Sequence, residues 1–203
     1  DQCPLGFTGD NVSSRPSTHT SQQLVLESGT EPFTIESRII REFGERLVKH
    51  PEVALLELVK NAYDADSLTC TISYSYPNRI VVADTGYGMT VAEFKCGWMR
   101  IGTSSKEATA SSRIYQRSIS GEKGIGRFAV RYLGRKLELV TTAHDPKRGF
   151  NTTLTASFDW PKFDKNEDLG AVQVPFTVTR AEPDAPIGTT LTITDLRPNT
   201  AKI

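Results

Sequence analysis

Glu57-Leu58-Val59-Lys60-Asn61-Ala62-Tyr63-Asp64-Ala65-Asp66 interleaves polar and apolar residues at helical spacing. Glu57, Asn61 and Asp64 are spaced i, i+4, i+7, which places them on one face of an α-helix. Leu55, Leu58, Val59 and Ala62 lie largely on the other side and can pack on a sheet. The pattern predicts a helix from about Glu52 to Ala65, after a break at His50-Pro51. Its polar stripe of carboxylate, amide and carboxylate has two readings. It can be the solvated face of a surface helix. It can also line a cleft, where a carboxylate takes a proton from water attacking a phosphate. An amide oxygen there can ligate magnesium, a hard cation that prefers oxygen.

Downstream, Val81-Val82-Ala83-Asp84-Thr85-Gly86-Tyr87-Gly88-Met89 delivers Asp84 at the end of an apolar strand, and two glycines turn the backbone sharply. A carboxylate at a strand end can accept hydrogen bonds from an exocyclic amine such as that of adenine. The same pattern also makes ordinary tight turns. Gly121-Glu122-Lys123-Gly124-Ile125-Gly126 begins 37 residues beyond Asp84 and leads into a helix predicted over Arg127 to Leu133. Glycines allow a close backbone approach, and a helix N-terminus offers unpaired N–H groups to phosphate. The loop lacks the Gly-Lys-Ser/Thr end of a Walker A loop. No parallel βαβ unit surrounds it, which disfavours a dinucleotide fold. A flexible connector is its other reading. Gly188-Thr189-Thr190-Leu191-Thr192-Ile193 opens the last predicted strand, where a threonine hydroxyl can reach a base or an ordered water, or be simply a strand start.

The rest of the chain follows from texture. Residues 1–32 are polar and poor in periodicity, which predicts a tail or linker with at most a short strand near Leu24 to Leu26. Residues 33–203 read as one domain. Phe33 to Glu36 is strand-like, and Ser37 can cap a helix to about Lys49 carrying Ile39, Ile40, Phe43 and Leu47. Strands are predicted over Thr69–Tyr74 and Arg79–Ala83, joined by a Pro77-Asn78 turn. Residues 84–126 are rich in Gly, Ser and charge and predict little core. Gly134 suits a left-handed helix terminus. Four strands then follow, over Lys136–Thr142, Phe150–Phe158, Val172–Thr179 and Thr189–Leu196. Helices followed by a largely antiparallel meander predict an α+β fold in two layers.

Lysine plus arginine equals aspartate plus glutamate, 24 each, so no global pull toward nucleic acid or anionic membrane follows. Cys3, Cys70 and Cys96 are odd in number and far apart, which argues against a disulfide framework or a zinc site and for a reducing compartment, cytoplasmic or nuclear. No apolar run approaches the roughly 20 residues of a membrane span. The start at Asp1 suggests a piece of a longer chain.

The four segments, in this order, resemble the GHKL superfamily of ATPases shared by gyrase, Hsp-class chaperones, histidine kinases and MutL, across about residues 33–196. Glu57 to Asp66 is similar to its N-box, Asp84 to Gly88 to its first glycine box, Gly121 to Gly126 to its second, and Gly188-Thr189-Thr190 to its closing element. The resemblance implies a Bergerat-type sandwich, with helices on one face of a mixed, largely antiparallel sheet. It implies ATP and magnesium as ligands, Glu57 as general base and Asn61 as the magnesium ligand. It implies that Asp84 holds the adenine amine and that Asp64 lines the base end of the pocket. Gly86 and Gly88 would shape the adenine turn, with Met89 against the base. Gly121, Gly124, Ile125 and Gly126 would cradle phosphates, and Thr190 would support Asp84 through water.

Residues 97–120 correspond to the mobile lid of that family, and their basic residues Arg100, Lys106, Arg113 and Arg117 would reach phosphates on closing. Asp64-Ala65 and the Gly124-Ile125-Gly126-Arg127-Phe128 run differ from the usual histidine-kinase pattern and are closest to the chaperone, MutL and MORC-like branch. Members of that branch use a lysine from a following domain at the terminal phosphate. Lys106 or Lys123 are stand-ins, although a solvated surface lysine is the ordinary reading of each. The resemblance further implies an ATP-dependent homodimer, domains beyond Ile203, and slow turnover by this domain alone. Nucleic acid is an open partner, and the competing readings are a nucleotide-sensing module with little turnover and, third, a histidine kinase catalytic domain.

Overall fold

The computed structural model of the chain describes residues 24–32, 34–35, 50–101, 111–120, 130–164 and 173–203. Its centre is a seven-stranded sheet in the order β1-β8-β7-β6-β9-β4-β3. The strands are β1 (Val25–Pro32), β3 (Cys70–Ser75), β4 (Arg79–Asp84), β6 (Gly134–Asp145), β7 (Phe150–Asp159), β8 (Gln173–Arg180) and β9 (Gly188–Leu196). Every pairing in this sheet is antiparallel. The parallel pairing lies in a separate two-stranded sheet, where β2 (Thr34–Ile35) meets β5 (Arg100–Ile101). The architecture is the expected α+β sandwich.

Strand alternation sorts the residues between two faces. Leu137 pairs with Phe158 and Ile193, and Leu139 with Ala156 and Leu191. These apolar residues, with Ile80, Val82, Val174, Phe176 and Val178, form the buried face of the sheet. Helix α1 (Pro51–Asp64) covers it with Ala54 and Leu58, and the short helix at Val130–Leu133 adds both its ends to the same core. Pro51 opens α1 rather than breaking it, because a proline at the first helical position forfeits no intrahelical bond. The opposite face of the sheet is polar and carries Thr71, Ser73, Lys136, Glu138, Ser157, Thr192 and Thr194.

Several expectations need correcting. Residues 25–32 are not tail but an edge strand, paired with β8 along its length. Residues 84–126 contribute core after all: Phe94, which opens the turn of π-helix after Val91–Glu93, and Met99, which follows that turn, are both buried. Gly134 is not left-handed. It opens β6, and a Cβ there would lie 2.6 Å from Ile193 Cγ2 and from Thr194 O, so the residue permits close strand packing. The predicted helix over 37–49 lies outside the described residues. Cys70 and Cys96 are free thiols. Among the described residues no helix is long and apolar enough to cross a membrane.

Candidate nucleotide site

Four backbone segments meet where α1 ends, β4 ends, β9 begins and β6 passes Thr141. The turn after Asp84 lies against the end of α1: Tyr87 N donates to Ala65 O at 3.1 Å, and a Cβ on Gly86 would sit 2.5 Å from that same oxygen. Gly88 has φ +66° and leaves no room for a side chain beside the Thr142 carbonyl. Both glycines are therefore required by geometry. Thr85 N donates to Ser67 Oγ at 2.8 Å, and Met89 N to Thr141 Oγ1 at 2.9 Å, so the turn is tied to α1 on one side and to β6 on the other.

Asp84 stands half-buried on the helix-covered face. Its Oδ1 accepts from Gly86 N at 2.8 Å and from Thr189 N at 3.3 Å. Its Oδ2 accepts nothing from the described residues and stays available. Burial pushes the Asp84 carboxyl above its ordinary pKa, and the two amides offset this in part. A half-buried carboxylate with one oxygen braced and the other open suits an exocyclic amine.

Thr189, not Thr190, is the threonine beside Asp84. Thr189 and Asp84 are register partners, whereas Thr190 pairs with Ala83 and Val140 on the opposite, polar face of the sheet. Thr190 therefore cannot support Asp84 from the pocket side. Thr189 and Thr141 are the residues that the motif reading missed. Their sign in the sequence was parity: Thr189, Leu191 and Ile193 alternate onto the core face.

On α1, Glu57 and Asn61 are half-buried and Asp64 is buried, as the shared polar face requires. Glu57 pairs with Lys60 at 2.8 Å, and this contact raises the Lys60 pKa through hydrogen bonding and charge. The Asn61 side chain forms no hydrogen bond among the described residues, which leaves its amide oxygen open to a hard cation. Asp64 is seven residues from Glu57, about 10 Å along the helix axis. Its Oδ1 accepts from Ser120 N at 2.8 Å and Ser120 Oγ at 3.0 Å.

Of the segment read as a lid, residues 111–120 are fastened down. Asp66, at φ 59° and buried, accepts from Ser112 Oγ at 2.5 Å, Ile114 N at 2.7 Å and Tyr115 N at 3.2 Å. Burial works to raise its pKa, but those three donors and the nearby Arg117 charge outweigh it and hold the carboxyl below its ordinary value. Arg117 donates to Ser67 O and Tyr63 O. Arg113 pairs with Glu93 at 2.5 Å and lies over the Tyr87 ring at 4.4 Å. Both arginines are thus engaged with α1 and the Asp84 turn rather than left free for phosphate. Lys106, Gly121, Lys123, Gly124, Ile125 and Gly126 lie outside the described residues.

Comparison with known proteins adds two findings. A family model described as histidine kinase-, DNA gyrase B- and HSP90-like ATPase matches residues 48–182. A protein named "Putative type II restriction enzyme HgiDII" from Herpetosiphon aurantiacus is 33% identical over 95 residues, covering 47% of this chain. The chain spans 15% of the length of that relative.

Proposed function

This chain belongs to the histidine kinase-, DNA gyrase B- and HSP90-like ATPase family, and from that premise we propose that it binds ATP with magnesium and hydrolyses it to gate a conformational change in a larger protein. The observation that carries the proposal is an open Asp84 Oδ2 on a turn packed against the end of α1, the helix that carries Glu57, Asn61 and Asp64. Asp84 anchors the base by accepting from its amine, and Met89 lies against the ring. Asn61 holds magnesium through its amide oxygen, and the ion supplies positive charge against the phosphate oxygens. Glu57 takes the proton from the attacking water. To do so it must exchange Lys60, a partly solvated partner whose pairing is worth about 1 kcal/mol or less. Calorimetric titration with ATP, with and without magnesium, and measurement of phosphate release test the proposal. Absence of binding in both conditions sinks it.

Turnover by this domain alone is slow on this reading. Among the described residues Arg113 and Arg117 are held by neighbouring groups, which supports a further cation, from outside this domain, completing the site. In comparable phosphoryl-transfer systems one supplied cation is worth about 10³–10⁵ in rate. A second subunit or a further domain of a MORC-like or chaperone-like protein supplies it. Sedimentation with a non-hydrolysable ATP analogue tests the dimer; a monomer at saturating analogue argues against it. The similarity to a named restriction enzyme favours DNA over a protein client as the larger protein's target. Stimulation of hydrolysis by duplex DNA tests that choice.

A further inference from the structure

At the junction of the Asp84 turn with β6 and β9 lies a hydroxyl whose hydrogen can be assigned. Thr141 is 1% exposed. Its Oγ1 is 2.9 Å from Met89 N, 3.1 Å from Gly188 O and 3.1 Å from Thr189 Oγ1. The Met89 amide can only donate, the Gly188 carbonyl can only accept, and a hydroxyl has one hydrogen. The Thr141 hydrogen therefore goes to Gly188 O. The hydrogen between the two hydroxyls then comes from Thr189. With that hydrogen committed, Thr189 Oγ1 has only lone pairs to show on the face it shares with Asp84. Asp84, its register partner on that face, adds Oδ2 as a second acceptor. This part of the wall offers two acceptors and no hydroxyl donor.

We propose that Thr141 sets base specificity in the nucleotide site by holding the Thr189 hydroxyl as an acceptor, so that the wall takes a base edge bearing an amine and turns away one bearing a carbonyl. The proposal rests on the reading of Asp84 as the base anchor. An exocyclic amine donates to Asp84 Oδ2. A carbonyl at the same place meets two lone-pair oxygens and finds no hydrogen. Thr141 acts through Thr189 and is a positioning residue.

The test compares ATP with ITP, which carries a carbonyl where ATP carries the amine, by calorimetric titration of the wild type, Thr141→Val, Thr141→Ser and Thr189→Val. Exchange of the Met89 amide is followed in the same proteins. The wild type is expected to prefer ATP by at least about 10-fold. Thr141→Val frees the Thr189 hydrogen to reach a carbonyl, and the preference shrinks by about 5-fold or more. Thr141→Ser restores the preference and keeps the Met89 amide protected, whereas Thr141→Val exposes that amide to exchange. Thr189→Val, at a half-buried position, removes the acceptor and shrinks the same preference even if Thr141→Val does not fold. An unchanged ATP to ITP ratio in Thr141→Val or Thr189→Val overturns the proposal, whatever happens to the melting temperature. A wild type that binds neither nucleotide overturns the Asp84 reading and the specificity role with it.

Discussion

Asp84 and Thr189 are register partners across β4 and β9, and the Thr189 amide donates to Asp84 Oδ1 at 3.3 Å. With Gly86 N on the same oxygen, the carboxylate is oriented without its second oxygen being used. That arrangement carries a stability cost, because burial raises the Asp84 pKa. A carboxyl raised in the folded state favours folding when protonated. Its cost grows as pH climbs through the unfolded value, near 3.9, and is complete above the folded value.

Asp84→Asn keeps an oxygen for both amides and removes the buried charge. Its melting temperature at neutral pH is expected to equal or exceed that of the wild type, with the gap closing on acidification. ATP affinity is expected to fall about 5- to 150-fold, since an amide donor then faces an amine, a mispairing worth about 1–3 kcal/mol. Calorimetry and thermal melts read both. A less stable variant with unchanged affinity would contradict both parts.

Glu57 and Asn61 have separable roles. Glu57→Ala is expected to retain ATP binding and lose about 10²–10⁴-fold in hydrolysis, with little change in folding, because its partner Lys60 is only half-buried. Asn61→Ala is expected to weaken binding only when magnesium is present. Wild-type turnover by Glu57→Ala would place the base elsewhere.

Asp66 fastens 111–120 through a conformation that glycine adopts more readily. Asp66→Asn and Asp66→Gly are both expected to accelerate exchange of the Ile114 and Tyr115 amides, although glycine relieves the φ of 59°. The carboxyl is depressed in the folded state. Its stabilisation is therefore present above the unfolded carboxylate range and is lost as pH falls through the folded value. The melting-temperature gap between wild type and Asp66→Asn should narrow in acid. Full protection of both amides in Asp66→Gly would show that other contacts hold the segment.

Gly134→Ala pushes a methyl group toward Ile193 Cγ2 and the Thr194 carbonyl. Overpacking of this kind costs about 1–3 kcal/mol. The denaturant midpoint should fall by a corresponding amount while ATP affinity stays put, because the position lies at the far end of β6 from Thr141. A midpoint equal to that of the wild type would mean that β6 and β9 can separate slightly without loss.

The parts of the fold written in short-range periodicity were legible. The spacing of Glu57, Asn61 and Asp64 located α1 and its polar face, and alternating Leu and Ile marked β6 and β9. Thr189 was within reach of the same rule, since it shares parity with Leu191 and Ile193. Matching the motif by order rather than by parity led to Thr190 instead. Asp66 was beyond reach: its three donors lie 46 to 49 residues away, and nothing local distinguishes it from any acidic residue after a helix. β1 failed for the opposite reason. Val25-Leu26-Glu27-Ser28-Gly29-Thr30-Glu31-Pro32 has no apolar alternation, because its inward positions are Glu27, Gly29 and Glu31.

Those inward carboxylates have a consequence for handling the protein. Glu27 reaches Arg148 and Lys95, and Glu31 reaches Lys95, so β1 is attached to the sheet margin by charge as well as by its ladder. A strand edge built from glutamates and ended by a proline is a poor template for another chain. β8 beneath it carries Val174, Phe176 and Val178 and would be a good one. Trimming the chain at residue 33, where its composition first turns domain-like, would strip this guard and leave β8 as an open apolar margin prone to aggregation. Expression boundaries belong upstream of Leu24.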